Sequence, residues 1–143
     1  LMPISFLSRL QALASAAPSP ADSALRTRAT GLVESLRREL PEALAVAAID
    51  LEQAQPLATY SVGKGALPAK AAAHLVEVVR LKRRALEVLQ LPTEKIEDIL
   101  ITLREQLHLL RVSQDGRLLL YLVVSPYDTN LAIARALLQA HGS

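Results

Sequence analysis

The spacing of apolar positions changes several times along the chain, and each change marks an element. Phe6, Leu7, Leu10, Leu13 and Ala14 fall on one side of a helical wheel, so a short amphipathic helix is expected first, with Pro3 in its first turn. The segment 17–23, APSPADS, reads as a linker leading to a helix cap at Asp22 or Ser23. Leu25, Ala29, Leu32, Val33, Leu36 and Leu40 then recur at helical spacing, Arg26, Arg28, Arg37 and Arg38 lie mostly elsewhere, and Pro41 ends the pattern. One stripe of this second helix is core and the rest is solvated.

Beyond Pro41 residues 43–49 are apolar on both alternating sets, as in a strand covered on both faces. Residues 50–56 turn the chain, 57–62 form a mixed strand, and GKGALP at 63–68 breaks it. A helix is predicted over 69–90. Its polar stripe, Glu77, Arg80, Arg84 and Glu87, is narrow, while Leu75, Val78, Val79, Leu81, Ala85, Leu86, Val88 and Leu89 wrap beyond one core-facing stripe. That surplus implies a second partner surface. Three strands follow at 95–103, 106–112 and 117–124, parted by Arg104-Glu105 and by SQDG with its Asp115-Gly116 turn signal. In the first of them Ile99, Ile101 and Leu103 alternate with Asp98, Leu100 and Thr102; 118–124 is apolar on both faces and should be central. SPYDTN at 125–130 turns the chain into a last helix, capped by Asp128 or Thr129, whose Leu131, Ala134, Leu137 and Leu138 face the sheet. The predicted class is α/β: helix, two strands, helix, three strands, helix, around a five-stranded, mainly antiparallel sheet.

That order, with KIEDILITL at 95–103 and DGRLLLYLVVSPYDTNLAIARALL at 115–138, resembles the roadblock, or dynein light-chain, family over about 25–140. The strand-to-helix corner formed by Pro126, Asn130 and Leu131 is its most specific piece. One departure is that Asp50 is followed by LEQAQP without the glycine usual in the first hairpin turn. The resemblance implies a roadblock/profilin-like sheet with the long helix on one face and the terminal helices on the other. It further implies a two-fold dimer in which the long helices and the strands at 95–103 meet their copies, and a bacterial-type regulator or scaffold, commonly of Ras-like small GTPases. The chain therefore divides into an N-terminal helix and Pro-rich linker at 1–24 and a roadblock-like domain at 25–141.

Composition narrows the chemistry. The 143 residues are 51% hydrophobic with one Phe, three Tyr and no Trp, so aliphatic side chains must fill the core and few rings remain to stack on bases or flat cofactors. A net charge of +2 steers a polyanion weakly, so no nucleic-acid partner is expected. Zero cysteines exclude disulfides, thiolate metal sites and a cysteine nucleophile, and agree with a cytoplasmic location. The N-terminal helix has a single arginine, Arg9, which gives little attraction to anionic lipid.

Gly63-Lys64-Gly65 lacks the earlier glycine and the hydroxyl of a phosphate loop, and reads as a flexible connection. His74, His108 and His141 have no second ligand at metal spacing; His74 is read as an interface or partly buried residue and His108 as a solvent-side strand residue. Ser61, Ser113 and Ser125 lack a nucleophile elbow. Glu39 with Glu42 and Asp50 with Glu52 read as solvated caps and turns, and the run Arg80, Lys82, Arg83, Arg84 as a solvated or acid-partnered face. No catalytic group, metal or cofactor is expected. The leading reading is a non-enzymatic homodimer that presents a surface to a protein partner. Val78, Leu81, Lys82, Ala85, Val88, Ile99, Ile101 and Leu103 are the interface candidates. The alternative is a small-molecule sensor domain of the GAF or PAS kind, which would need an enclosed pocket with convergent polar groups.

Overall fold

The computed structural model describes residues 19–63 and 67–143. The expected N-terminal helix, residues 17–18 of its linker and the middle of GKGALP lie outside them, and the rest of the expected linker, 19–23, is the cap and first turn of a helix. Helix α1 spans Pro20–Glu39. It starts earlier than either expected cap, because Ser19 is the N-cap: its hydroxyl accepts from the Asp22 backbone N–H at 3.1 Å while the Asp22 carboxylate accepts from the Ser19 backbone N–H at 3.2 Å. Pro20 suits the first turn, where its missing N–H would have had no helical acceptor.

Strands β1 (Ala45–Asp50) and β2 (Gln55–Ser61) precede helix α2 (Pro68–Val88); β3 (Asp98–Thr102), β4 (Leu107–Val112), β5 (Leu118–Val124) and helix α3 (Leu131–His141) complete the order. The five strands form one sheet, β2-β1-β5-β4-β3, and every pairing is antiparallel. β5 holds the centre and is buried at every position, as its unbroken apolar run requires. Alternate residues of β1 and β5 feed two separate cores. Val46, Ala48, Leu120 and Leu122 meet Leu25, Ala29, Val33 and Leu36 of α1 with Ala134 and Leu138 of α3. On the other face Ala45, Ala47, Ile49, Leu119, Tyr121 and Val123 meet Ala72, Val76 and Val79 of α2.

Three local devices differ from the sequence reading. The β1–β2 turn, lacking glycine, puts Ala54 in the left-handed region at φ 55°, and Asp50 is buried rather than solvated. Its carboxylate accepts the backbone N–H of Glu52 at 2.9 Å and of Gln53 at 3.1 Å, which satisfies both donors in the turn. The last helix is capped by Asn130, whose side-chain oxygen accepts from Ala132 and Ile133, and not by Asp128 or Thr129. Thr129 is buried, and its hydroxyl donates to Glu42 at 3.3 Å. Glu39 is not merely solvated either, since it pairs with His141 across the α1–α3 contact.

Helix α2 ends in a Schellman turn: the Leu91 N–H donates to the Leu86 carbonyl and the Gln90 N–H to the Glu87 carbonyl, both at 3.0 Å. That places Gln90 at φ 59°, where a side chain is strained and glycine is not. Gln90→Gly is therefore expected to raise the unfolding free energy by about 0.5–1 kcal/mol. Chemical denaturation of the two chains would measure it, and an equal or lower midpoint would contradict it.

The β4–β5 turn is tied to α1 through Asp115. Its carboxylate accepts from the Ser113 hydroxyl at 2.6 Å and from Arg28 at 2.5 Å, which holds its pKa down at about 2 against an ordinary 3.8. The folded chain thus prefers the ionised form. The stability this contributes is fully present above pH 3.8 and is lost as pH falls through about 2. Asp115→Asn is expected to flatten the acid limb of a stability–pH curve between those values, and a variant curve parallel to the wild type there would refute the assignment.

Candidate interaction surface

Two apolar features stand out on the surface, the outer side of α2 and the β3 edge of the sheet. Only Pro68, Ala72, Val76 and Val79 are buried along the 21 residues of α2, and from Arg80 to Val88 every residue is exposed except the half-buried Ala85 and Leu86. The reason is placement. Helix α2 packs mainly over β1 and β2, which leaves its later turns and the β3–β4 half of the same face without a full cover. Arg80 fixes that placement by donating to the Leu51 carbonyl at 3.2 Å.

On the uncovered part Leu81 is 55% exposed, Val88 83% and Leu89 59%, while Val78, Ala85 and Leu86 are half-buried. Val78, Leu81, Lys82, Ala85 and Val88 follow three- and four-residue steps, the narrow seam of a helix that packs on another helix. Their charged neighbours Lys82, Arg83, Arg84 and Glu87 are exposed, and Arg84 reaches Glu77 only at 3.9 Å.

β3 supplies the second half. It is an outer strand, hydrogen-bonded on one side to β4 and free on the other. Ile99 pairs with Leu110 and Ile101 with His108, which puts both isoleucines on the α2 side of the sheet, half-buried. Alternation carries Leu103, 46% exposed, to the same side. The strand is shorter than the expected 95–103, because its partner ends at Val112 and turns through Ser113. The eight residues expected at an interface thus fall on α2 and on β3 with the residue that follows it, the last three on the α2 side of the sheet.

The remaining sequence candidates do not converge. His74 is exposed on α2 and His141 sits at the end of α3. Ser113 is buried and spent on Asp115 and the Leu118 N–H. No group of three acidic, histidine or cysteine side chains that could hold a metal exists among the described residues, and none of their helices is long and apolar enough to cross a membrane. His108 corrects the sequence reading: it faces the α2 side, half-buried, with the Tyr121 hydroxyl 2.9 Å from Nδ1 and the Gln106 side-chain oxygen 2.9 Å from Nε2. Its position two residues before the inward Leu110 carried that signal, which strand alternation would have revealed. Burial pushes its imidazole below the ordinary value.

A hollow of about 840 Å³ is an open groove, lined in part by Leu86, Leu91, Ile96 and Arg111. It is not the enclosed polar pocket that a sensor domain requires.

Two helices on one face of an antiparallel five-stranded sheet and one long helix on the other give the described residues a roadblock-like fold. Solved structures agree on the fold. Myxococcus xanthus MglB matches with a TM-score of 0.70 and 11% identity over 82% of this chain and 84% of that one. The gliding protein MglB of Thermus thermophilus matches with a TM-score of 0.68 and 15% identity over 84% of this chain and 87% of its own. A roadblock/LC7 domain from Streptomyces avermitilis follows at 0.59 and 9% identity, over 79% of this chain and 90% of that one. No protein-family model and no curated protein sequence matches the chain.

Proposed function

We propose that this protein is a non-enzymatic homodimeric scaffold or regulator, bacterial and cytoplasmic, that presents a composite surface to a protein partner, a Ras-like small GTPase. The observation that carries the reading is the exposure of Leu81, Val88 and Leu89 on the later turns of α2, together with the free edge of β3. Leaving side chains such as Leu81 and Val88 in water forgoes roughly 1.5–3 kcal/mol each relative to burial, so a second copy has a driving force. Unpaired strand amides add a reason to associate, since two β3 edges can join by a two-fold axis into one continuous sheet. Val78, Leu81, Lys82, Ala85, Val88, Ile99, Ile101 and Leu103 form that contact. The likeness in fold to two MglB proteins, one of them described as a gliding protein and a third structure of the kind as a tetrameric arrangement, favours a regulatory assembly over a sensor domain.

The GTPase half is tested by affinity capture with the intact chain, with and without a non-hydrolysable GTP analogue, followed by binding to the purified captured GTPase. Selective retention of a Ras-like protein in one nucleotide state is expected. A chain that binds none, or that instead purifies with a small molecule, removes this reading. The purified protein alone should not turn over GTP or ATP, and activity that survives further purification would contradict the non-enzymatic assignment. Deleting residues 1–18 should leave a cooperative melt, because α1 starts with its own N-cap at Ser19.

A further inference from the structure

His108 and Tyr121 meet under the face just described, and the scaffold role makes no use of them. Their rings stand edge to face, 5.5 Å apart, with Gln106 on the far side of the imidazole. A neutral ring satisfies all three: the Tyr121 O–H donates to Nδ1 and the Nε2 N–H donates to Gln106 Oε1. A protonated ring carries N–H on both nitrogens. Tyr121 would then have to accept, and its own hydrogen, on a residue only 5% exposed, would have no other acceptor among the described residues.

The surroundings do not compensate an imidazolium. Its cross-strand neighbours are Ile101 and Val123, and the buried residues of α2 along its helical turns are Ala72, Val76 and Val79. The charged and titratable groups of the adjoining elements, His74, Glu77, Arg80 and Lys82 on α2 and Arg104 and Glu105 between β3 and β4, are all exposed. Burial also raises the Tyr121 phenol above its ordinary value, which keeps it a neutral hydroxyl.

We propose that His108 makes association of two copies acid-sensitive: covering the β3–β4 half of this face requires a neutral ring, and protonating the ring opposes the covered state. This rests on the dimer reading above. The associated state then holds the imidazole further below its ordinary value than the single chain does. Association is at full strength above about pH 6.5 and weakens as pH falls, by at most about tenfold per pH unit for each of the two histidines.

Sedimentation of the full chain at about pH 7.5 and about pH 5.5 tests this, with His108→Gln alongside. Glutamine can still accept from Tyr121 and donate to Gln106 but does not titrate, and His74 remains in both chains. The wild-type Kd is expected to rise about tenfold or more on acidification and that of His108→Gln by no more than about threefold. Equal weakening in both chains, or a wild-type dimer indifferent to pH, overturns the proposal. A wild type that is monomeric at the higher pH overturns the dimer reading instead. Should His108→Gln not fold, NMR titration of His108 in the wild-type dimer and in a Leu81→Glu monomer decides: a lower pKa in the dimer supports the inference, and equal values refute it.

Discussion

Leu81→Glu is expected to turn a dimer into a folded monomer. Leu81 is already 55% exposed in the single chain, so the substitution removes little from the core and should leave the melt nearly unchanged. In a two-fold contact along α2 the new carboxylate would be desolvated and placed near its own copy. Desolvation and like-charge repulsion together cost a few kcal/mol, which weakens association about 100-fold or more. Sedimentation of both chains at equal concentration gives the answer. A monomeric wild type, or a folded mutant that remains an undisturbed dimer, places the interface elsewhere.

Leu120→Ala should produce the other large effect, on stability rather than association. Leu120 lies in β5, with strands on both sides, and its side chain is fully buried among those of α1, α3 and their neighbours. Truncation removes transfer energy and leaves a cavity that a rigid sheet cannot close, a loss of about 3 kcal/mol or more. Leu100→Ala, on the outer strand and 39% exposed, should cost well under half as much. Denaturant titrations with closely similar losses at the two positions would show that the outer strand is as tightly packed as the central one, contrary to this account.

The acid behaviour expected of the chain has two separable origins. Asp115 acts on folding below pH 3.8, through Ser113 and Arg28. His108 acts on association nearer neutrality. The two limbs should therefore be removed independently by Asp115→Asn and His108→Gln.

Much of the architecture was written in local pattern. Two unbroken apolar runs announced the strands with two cores to feed, β1 and β5, and the helical stripes of α1 and α3 named their buried residues Leu25, Ala29, Val33, Leu36, Ala134 and Leu138. The surplus of apolar residues on α2 was equally visible, because amphipathic width is a property of one helix and needs no partner to be read. The caps were less legible. Asp22 and Asp128 are common cap residues, yet Ser19 and Asn130 were used, since the choice depends on where the backbone enters each helix. The burial of Asp50 and of Thr129 was hidden for a similar reason: a short polar residue beside a turn looks solvated until the turn is folded against the sheet.

By itself the sequence determined the order of elements, the central place of β5 and the existence of an apolar seam on α2. These follow from spacing along a single segment. Only the tertiary structure decided that α2 lies over β1 and β2, that its later turns are consequently left largely exposed, and that His108 meets Tyr121 on the α2 side of the sheet. Those facts join residues from different strands and helices, and the contact between them is set by sheet order and register rather than by any local periodicity.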